Sequence, residues 1–265
     1  MELGLRNRAA VVCAASQGLG KAVAAEFARE GAHVLICSRD SRKLAAAAKE
    51  IQAGAAQGVR VIHVAADLTK PAHIRKVFRA ALRAFRRIDI LVTNAGGPPV
   101  AAFPDLDDKA WQRGIDLNLM STIRCIREVL PAMRKQQWGR IINITSYAAK
   151  QPVDDLVISS TVRPGVLGLS KVLANRYSRE GILINSVAPG YILTGRQEEI
   201  GAVRAKAAGV TPAEYIAGMG KTIPAGRYGR PEELAAVVVF LASERASYVS
   251  GTTVNVDGGL MKGII

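Results

Sequence analysis

The sequence of 265 residues is poor in cysteine, histidine and aromatic side chains, and each shortage argues against particular kinds of site or classes of protein. Its three cysteines, Cys13, Cys37 and Cys125, are odd in number and far apart. This pattern argues against a disulfide framework or a structural zinc site and favours free thiols. The three histidines also lack the spacing of metal ligands. We therefore expect no metal centre.

The sequence also lacks long hydrophobic runs. No window holds 18 uninterrupted apolar residues, so we expect no transmembrane helix. The first residues include an acid, Glu2, and no apolar core of the kind found in a secretory signal. These absences predict a cytoplasmic protein that does not bind membranes.

Acidic residues are scarce relative to basic ones: 22 Asp and Glu face 36 Lys and Arg, which gives a net charge of +14. Such an excess raises the question of nucleic-acid binding. Aromatic residues make up only 5% of the chain, however, which is little material for base stacking. In the segment 71–87 the basic residues occupy one predicted helix face, and Ile74, Val77, Phe78 and Leu82 the other. We interpret the charge as solvated surface and expect no nucleic-acid partner.

Short β-branched runs alternate along the chain with longer segments of helical periodicity. The predicted strands are 9–15, 32–37, 59–64, 88–93, 140–145, 182–187 and 252–256. The predicted helices are 19–30, 41–52, 71–87, 107–136, 159–179 and 231–242. This alternation predicts an α/β fold with a parallel sheet covered by helices on both faces, in a single domain spanning 1–265. The least regular region, about 191–230, is expected to form a lid, and its mix of basic and acidic residues gives a slight indication of a polar or anionic substrate.

A glycine-containing turn follows the first predicted strand and reads Cys13-Ala14-Ala15-Ser16-Gln17-Gly18-Leu19-Gly20. Glycines at such a turn let the backbone approach a pyrophosphate, whose charge then lies at the N-terminus of the next helix. The position between a strand and a helix therefore predicts a dinucleotide site.

From this turn onward the chain resembles the short-chain dehydrogenase/reductase family, whose turn reads TGxxxGxG. Further matches follow in the family's order: Asp67-Leu68, Asn94-Ala95-Gly96, Asn118, Ser146, Pro189-Gly190 with Thr194, and Asp257-Gly258-Gly259. The resemblance implies a Rossmann-type doubly wound fold with seven parallel strands and a nicotinamide dinucleotide at their carboxyl ends. The cofactor-binding residues it implies are Ala14, Ser16, Gln17, Gly18, Leu19, Gly20, Ser38, Arg39, Asp67, Leu68, Asn94, Ala95, Gly96, Arg163, Pro189, Gly190 and Thr194.

Two positions of the nucleotide site depart from the family's usual residues. Ala14 stands where the family has its first glycine, and we expect this small exchange to be tolerated with a slight displacement of the diphosphate pocket. At the end of the second strand, where NAD-specific members carry an acid, the chain has Ser38 followed by Arg39. A guanidinium can bind a 2′-phosphate in bidentate fashion. We therefore expect NADP(H) to be preferred over NAD(H), with Asp40 as the cap of the next helix.

The catalytic segment departs further. The resemblance implies an Asn, a Ser and a Tyr-x-x-x-Lys motif, of which Asn118 and Ser146 match the first two. The segment 165–171 aligns with the family's next helix and puts Ser159 at the Tyr position and Arg163 at the Lys position. A serine hydroxyl is far less acidic than a phenol, and Arg163 is expected to keep its proton. Losing a positioned general acid typically costs about 10²–10⁴ in rate. Pro164 predicts a kink in this helix.

Such a sequence is similar to divergent relatives of the 3-oxoacyl-acyl-carrier-protein reductases, and three functions stay open. One is an NADP(H)-dependent oxidoreductase of a carbonyl or alcohol substrate, in which another group supplies the proton: Ser159, Tyr147, Tyr191, Asp155 or an ordered water. For Asp155 the preferred interpretation is a helix N-cap before Ser159. The second is an NADP(H)-binding sensor or scaffold, and the third is a lyase or isomerase. The resemblance implies a small-molecule or acyl-thioester substrate and a homo-oligomer, either a tetramer or a dimer.

Overall fold

The computed structural model describes residues 2–263, and within them seven strands form one parallel sheet. The strands are β1 (Ala9–Val12), β2 (His33–Ser38), β3 (Val61–Ala65), β4 (Ile90–Thr93), β5 (Gly139–Ile144), β6 (Ile182–Pro189) and β7 (Thr253–Val256). Their order across the sheet is β3-β2-β1-β4-β5-β6-β7. The predicted doubly wound α/β fold is therefore confirmed.

Helices cover both faces of the sheet. They are α1 (Gly18–Arg29), α2 (Ser41–Ala53), α3 (Pro71–Phe85), α4 (Asp108–Ile115), α5 (Ser121–Gln136), α6 (Val157–Tyr177), α7 (Gly195–Ala208), α8 (Pro212–Thr222) and α9 (Pro231–Leu241). One core packs α1, α2 and α9 on the sheet through side chains such as Phe27, Leu44 and Leu234. A second core packs α3, α5 and α6 on the opposite face through side chains such as Phe78, Met133 and Ala174.

The central strands are buried because helices cover both of their faces. All four residues of β1 and of β4 are buried, and so are all eight of β6. Strand β1 pairs with β2 on one side and with β4 on the other, so the strand order reverses at β1. Ligands of open parallel sheets bind where the order reverses, beside the carboxyl ends of the strands.

The predicted helix 107–136 is confirmed as a helical stretch from Asp108 to Gln136, in which a π-helical turn, Asp116–Met120, lies between α4 and α5. Two other expectations were wrong. The segment 191–230, expected to be the least regular, contains the two helices α7 and α8. In α3 the last residue of the buried face is Ala81. Leu82, which the sequence assigned to that face, is 40% exposed. That helix ends at Phe85 because Arg86 adopts a left-handed conformation with φ 62°.

Two local expectations concern capping and proline. Asp40 caps α2 as predicted, accepting a hydrogen bond of 3.0 Å from the backbone N–H of Lys43. Helix α6 continues through Pro164 over its full 21 residues, so the proline does not end it. Proline removes one helical hydrogen bond, and tertiary packing of α6 against β6 and the π-helical turn compensates.

Within residues 2–263, no helix is both long enough and apolar enough to cross a bilayer. No group of three or more His, Cys, Asp or Glu side chains in that range is placed to hold a metal ion. The three cysteines, Cys13, Cys37 and Cys125, are buried free thiols. A hydrogen bond with Cys125 raises the pKa of Cys13, and one with Cys13 raises that of Cys37; burial adds to both, so both pKa values lie well above the ordinary thiol range.

Candidate active site

A cleft of about 900 Å³ lies at the carboxyl ends of the strands. It collects almost all residues that the sequence assigned to a site. Those that line it are Ala14, Ser16, Gln17, Gly18, Leu19, Ser38, Arg39, Asp67, Leu68, Asn94, Ala95, Gly96, Ser146, Ser159, Arg163, Pro189, Gly190 and Thr194. Gly20 and Asn118 are the two predicted residues outside its lining.

The turn between β1 and α1 forms one end of the cleft. Ala14 has φ 49° and Gly18 has φ 57°, so both lie in the left-handed region. That conformation is open to glycine but costs an alanine roughly 1–2 kcal/mol. Gly20 allows α1 to pack closely against the turn, because a Cβ atom at this position would lie only 2.5 Å from the carbonyl oxygen of Ala14. The helix can approach the turn this closely because the residue has no side chain.

The first turn of α1 has unused hydrogen-bonding capacity. Its N-cap, Gln17, contributes no side-chain hydrogen bond, and the turn contains no acidic residue. The leading N–H groups of a helix carry partial positive charge and suit an anion. Thr194, the cap of α7, lies next to this turn, since a Cβ atom on Gly18 would be 3.6 Å from its methyl group.

The residues at the end of β2 line the cleft beside this turn. The Ser38 hydroxyl donates to the hydroxyl of Ser16 over 2.9 Å. Arg39 is exposed at the rim, without an ion pair among the residues that the structure describes. Asp67 faces this region from the end of β3, with its carboxylate bound to the backbone and hydroxyl of Thr69 at 3.0 and 2.8 Å. Burial raises the pKa of Asp67, but these bonds outweigh it and leave the pKa lowered.

Ser146, Ser159 and Arg163 are the lining residues that the sequence assigned to catalysis. Ser146 caps the short 3-10 turn Tyr147–Ala149, and its hydroxyl oxygen accepts from the N–H of Ala148 at 3.1 Å. Its O–H hydrogen is therefore available to another acceptor. Ser159 and Arg163 are one helical turn apart in α6, so both side chains lie on the same face. All three residues line the same cleft, and their roles stay a prediction.

Arg163 is the most unusual group of the cleft, because it is a buried cation with one polar partner among residues 2–263. Its side chain is 9% exposed, and one Nη1 hydrogen goes to the carbonyl oxygen of Thr145. Its Nε–H is buried without a partner. Burial, followed by the nearby charge of Arg196, lowers its pKa to about 10. The guanidinium therefore stays charged at neutral pH.

Asn118 lies behind the cleft, within the π-helical turn. Its side-chain amide donates to the carbonyl oxygen of Gly114 at 3.2 Å. Together with Arg163, Thr145 and Asn94 it lines a side cavity of about 10 Å³. A volume near this value is the minimum that one water requires.

The candidate proton donors differ in their environments. Tyr147 is 5% exposed, and burial and the neighbouring Tyr191 raise its pKa. The hydroxyl of Tyr147 donates to that of Tyr191 at 3.2 Å. Asp155 does not cap α6, contrary to expectation, because the N-cap is Leu156. Its carboxylate instead forms a bidentate pair with Arg204 of α7.

The sequence did not identify two residues of α7 as part of the site. Arg196 and Arg204 both line the cleft. Arg196 donates to the carbonyl oxygen of Pro98 and packs against Gly97, where a Cβ atom would lie 2.9 Å from its Nε. The available signal was Thr194, a favourable N-cap residue followed by polar residues, which indicates that α7 starts at Gly195.

Comparison with known proteins agrees with this geometry. The family described as enoyl-(acyl carrier protein) reductase matches residues 13–261. A putative ketoacyl reductase of the granaticin polyketide synthase from Streptomyces violaceoruber is 36% identical over 253 residues, covering 95% of this chain and 92% of that protein. The 3-oxoacyl-[acyl-carrier-protein] reductase of Aquifex aeolicus is 34% identical, covering 98% and 100%. The structure of L-sorbose reductase from Gluconobacter frateurii, complexed with NADPH and L-sorbose, has a TM-score of 0.94, 34% identity and full coverage of both chains.

Proposed function

The chain belongs to the short-chain dehydrogenase/reductase family and is an oxidoreductase, and from this we propose that it is an NADP(H)-dependent reductase of carbonyl compounds with an atypical active site. The observation that carries the proposal is the continuity of the cleft. Gly18 of the α1 turn, Ser146 and Ser159 line one cleft of about 900 Å³, which supports the binding of a dinucleotide together with a substrate.

The chain's own residues fit a nicotinamide dinucleotide. The uncapped first turn of α1 suits the pyrophosphate, and the close contact of Gly20 with Ala14 brings the helix N-terminus to it. Ser38 and Arg39 suit a 2′-phosphate, since no acid stands at this position. When bound, the dinucleotide supplies the hydride for carbonyl reduction.

Several of the chain's groups have roles at the reacting carbonyl. The Ser146 O–H, freed by the hydrogen bond from Ala148, donates to the carbonyl oxygen of the substrate. Arg163 places a permanent positive charge near the oxygen that becomes negative. This electrostatic stabilisation takes over part of the role that a tyrosine plays in the family.

The proton comes from Ser159, from Tyr191, or from a water in the cavity beside Asn118. Ser159 takes part in no side-chain hydrogen bond among residues 2–263, so its hydroxyl is free. Tyr191 lines the cleft and its oxygen receives hydrogen bonds from Tyr147 and Arg204. Tyr147 is less suited because burial raises its pKa, and Asp155 because it is bound to Arg204.

Relatives that act on ketoacyl groups and on L-sorbose support a small-molecule or acyl-thioester substrate. Assembly as a homo-oligomer, a single domain and a cytoplasmic location stay predictions. The binding-only and lyase or isomerase alternatives are not favoured, because the relatives are reductases and dehydrogenases.

The test is NADPH oxidation, followed by absorbance, with a panel of ketones, keto acids, ketoacyl thioesters and sugars. Calorimetry with NADPH measures binding separately. We expect both binding and oxidation, at a rate about 10²–10⁴ below that of relatives with a positioned general acid. Tight NADPH binding with no oxidation across the panel would contradict the proposed reductase activity and favour an NADP(H)-binding protein without turnover.

A further inference from the structure

We propose that Arg163 and Arg196 form a subsite for a carboxylate, so that the substrate is a keto acid rather than a neutral ketone. The inference rests on the proposed function, because it concerns the substrate end of the same cleft. It goes beyond that function by assigning a charge class to the substrate and a specificity role to Arg196.

The first support is the missing partner of Arg163. A cation that is buried to this degree normally pairs with an acid, because removing a lone charge from water is costly. Among residues 2–263 Arg163 forms no ion pair, and the Thr145 carbonyl is its one hydrogen-bond acceptor. The buried Nε–H has none. The ribose hydroxyls of a dinucleotide would accept hydrogen bonds but would leave the charge uncompensated.

The second support is the placement of Arg196. It belongs to the first turn of α7 and reaches the loop after β4, where it donates to Pro98 and packs on Gly97. Its acidic contact is Glu199, at 3.5 Å, whose side chain is 69% exposed. An exposed pair of this kind contributes little. The charge of Arg196 therefore remains available to the cleft.

The third support is the charge balance at this end of the cleft. Arg163, Arg196 and Arg204 line the cleft, and so does Glu199, the exposed partner of Arg196. Arg204 is neutralised by Asp155, with both guanidinium contacts shorter than 3 Å. The two remaining cations influence each other, since Arg196 lowers the pKa of Arg163. Two like charges in one cleft are an arrangement that a single carboxylate stabilises, and guanidinium groups bind carboxylates in bidentate fashion.

The geometry also sets the form of the substrate. Ser146 and Arg163 both line the cleft, and Arg163 donates to the carbonyl oxygen of Thr145, the residue before Ser146. The reacting carbonyl and the carboxylate therefore belong to the same small molecule. A short oxo acid satisfies both positions, whereas its ester or amide leaves Arg163 uncompensated. Neutral keto compounds of the same size are therefore the matched comparison.

The experiment measures kcat/KM for 3-oxobutanoate, its methyl ester and its amide with NADPH, in the parent and in Arg196→Gln. We expect the parent to prefer the acid, and the variant to lose about 10- to 100-fold of that preference. Arg196→Lys keeps the charge but not the planar donor pair, so it should retain part of the preference. The control is Lys206→Gln, which removes the same charge from an exposed position of α7 outside the cleft.

A binding measurement separates this inference from the proposed reductase. Calorimetry compares butanoate with butanamide, both unreactive, with and without NADP⁺. If no substrate is reduced but butanoate binds and Arg196→Gln abolishes binding, the subsite stands and the reductase fails. If substrates are reduced but the acid has no advantage, or Arg196→Gln and Lys206→Gln change it equally, the subsite is wrong and the reductase stands. If nothing is reduced and butanoate does not bind, both are wrong.

Discussion

Arg204 of α7 holds the carboxylate of Asp155 in a bidentate ion pair, with Nε 2.7 Å from Oδ2 and Nη2 2.6 Å from Oδ1. The two residues are 49 positions apart and connect α7 to the segment that precedes α6. The arginine side chain is 15% exposed, so water screens this pair less than a surface pair. The pair therefore ties α7 to the segment before α6, with Arg204 in the lining of the cleft.

Asp155→Asn should loosen α7. We expect KM for substrate to rise about 5- to 10-fold with a smaller change in kcat, since a partly buried pair contributes roughly 1 kcal/mol. Steady-state kinetics and limited proteolysis in the segment 195–222 measure the effect. The neighbouring Asp154→Asn removes the same charge from an exposed residue without an ion pair in the described chain. Equal effects of the two substitutions would exclude the role of the pair.

Ala14→Gly should stabilise the protein. Ala14 has φ 49°, which costs an alanine about 1 kcal/mol or more and a glycine almost nothing. We expect Tm to rise by about 2–4 °C, measured by thermal unfolding. Ala15→Gly is the control, since Ala15 is fully buried and outside the left-handed region, and it should lower Tm. A lower Tm for both variants would show that the methyl of Ala14 contributes more packing than strain.

Arg39→Ala should change the choice of cofactor. We expect NADPH binding to weaken about 10- to 100-fold, because a charge-assisted contact to the 2′-phosphate is lost. NADH binding should stay constant, since NADH lacks that phosphate. Calorimetry with both cofactors measures the ratio, and Arg42→Ala, an exposed arginine of α2, is the matched control. A parallel loss for NADH and NADPH would argue against a phosphate contact.

The double substitution Ser159→Tyr with Arg163→Lys should restore a phenol and an ammonium. Both positions line a cleft of about 900 Å³, which leaves space for the larger ring. We expect turnover of neutral ketones to rise by about 10²-fold or more, because a general acid is regained. Turnover of keto acids should rise less, since the guanidinium at 163 is lost. A fall with every substrate would mean that Ser159 and Arg163 belong to another mechanism.

The fold was predictable because its signals are local. Buried parallel strands are continuous apolar runs, and their alternation with amphipathic helices defines the α/β class. The segment 191–230 was not recognised as helical because glycines and charges obscure its periodicity. Its caps were nonetheless readable: Thr211-Pro212-Ala213-Glu214 forms a capping box with proline in the first turn, and Gly209 ends α7 with φ 69°.

The site was only partly predictable. The positions of Ser146, Ser159 and Arg163 followed from order along the chain, and the structure places them together. The interpretation of Asp155 as a cap failed because its partner, Arg204, is distant in sequence and no local pattern links them. The contact of Arg196 with Gly97 and Pro98 could not be predicted either, because these residues are also distant from Arg196 in the sequence. Tertiary ion pairs of this kind carry no short-range signal.

The π-helical turn Asp116–Met120 has a consequence for the tolerance of the chain to changes in length. A π-helical turn holds one residue more than the α-helix would need for the same advance. Removing that one residue would let α4 and α5 merge into a regular α-helix without changing the orientation of either relative to the other. The buried stripe of α5, formed by Cys125, Ile126, Val129 and Met133, would keep facing the sheet. A single-residue deletion within α5 itself would instead rotate everything beyond it by about 100°, so the π-helical turn is the place in this helix where the loss of one residue disturbs the packing least.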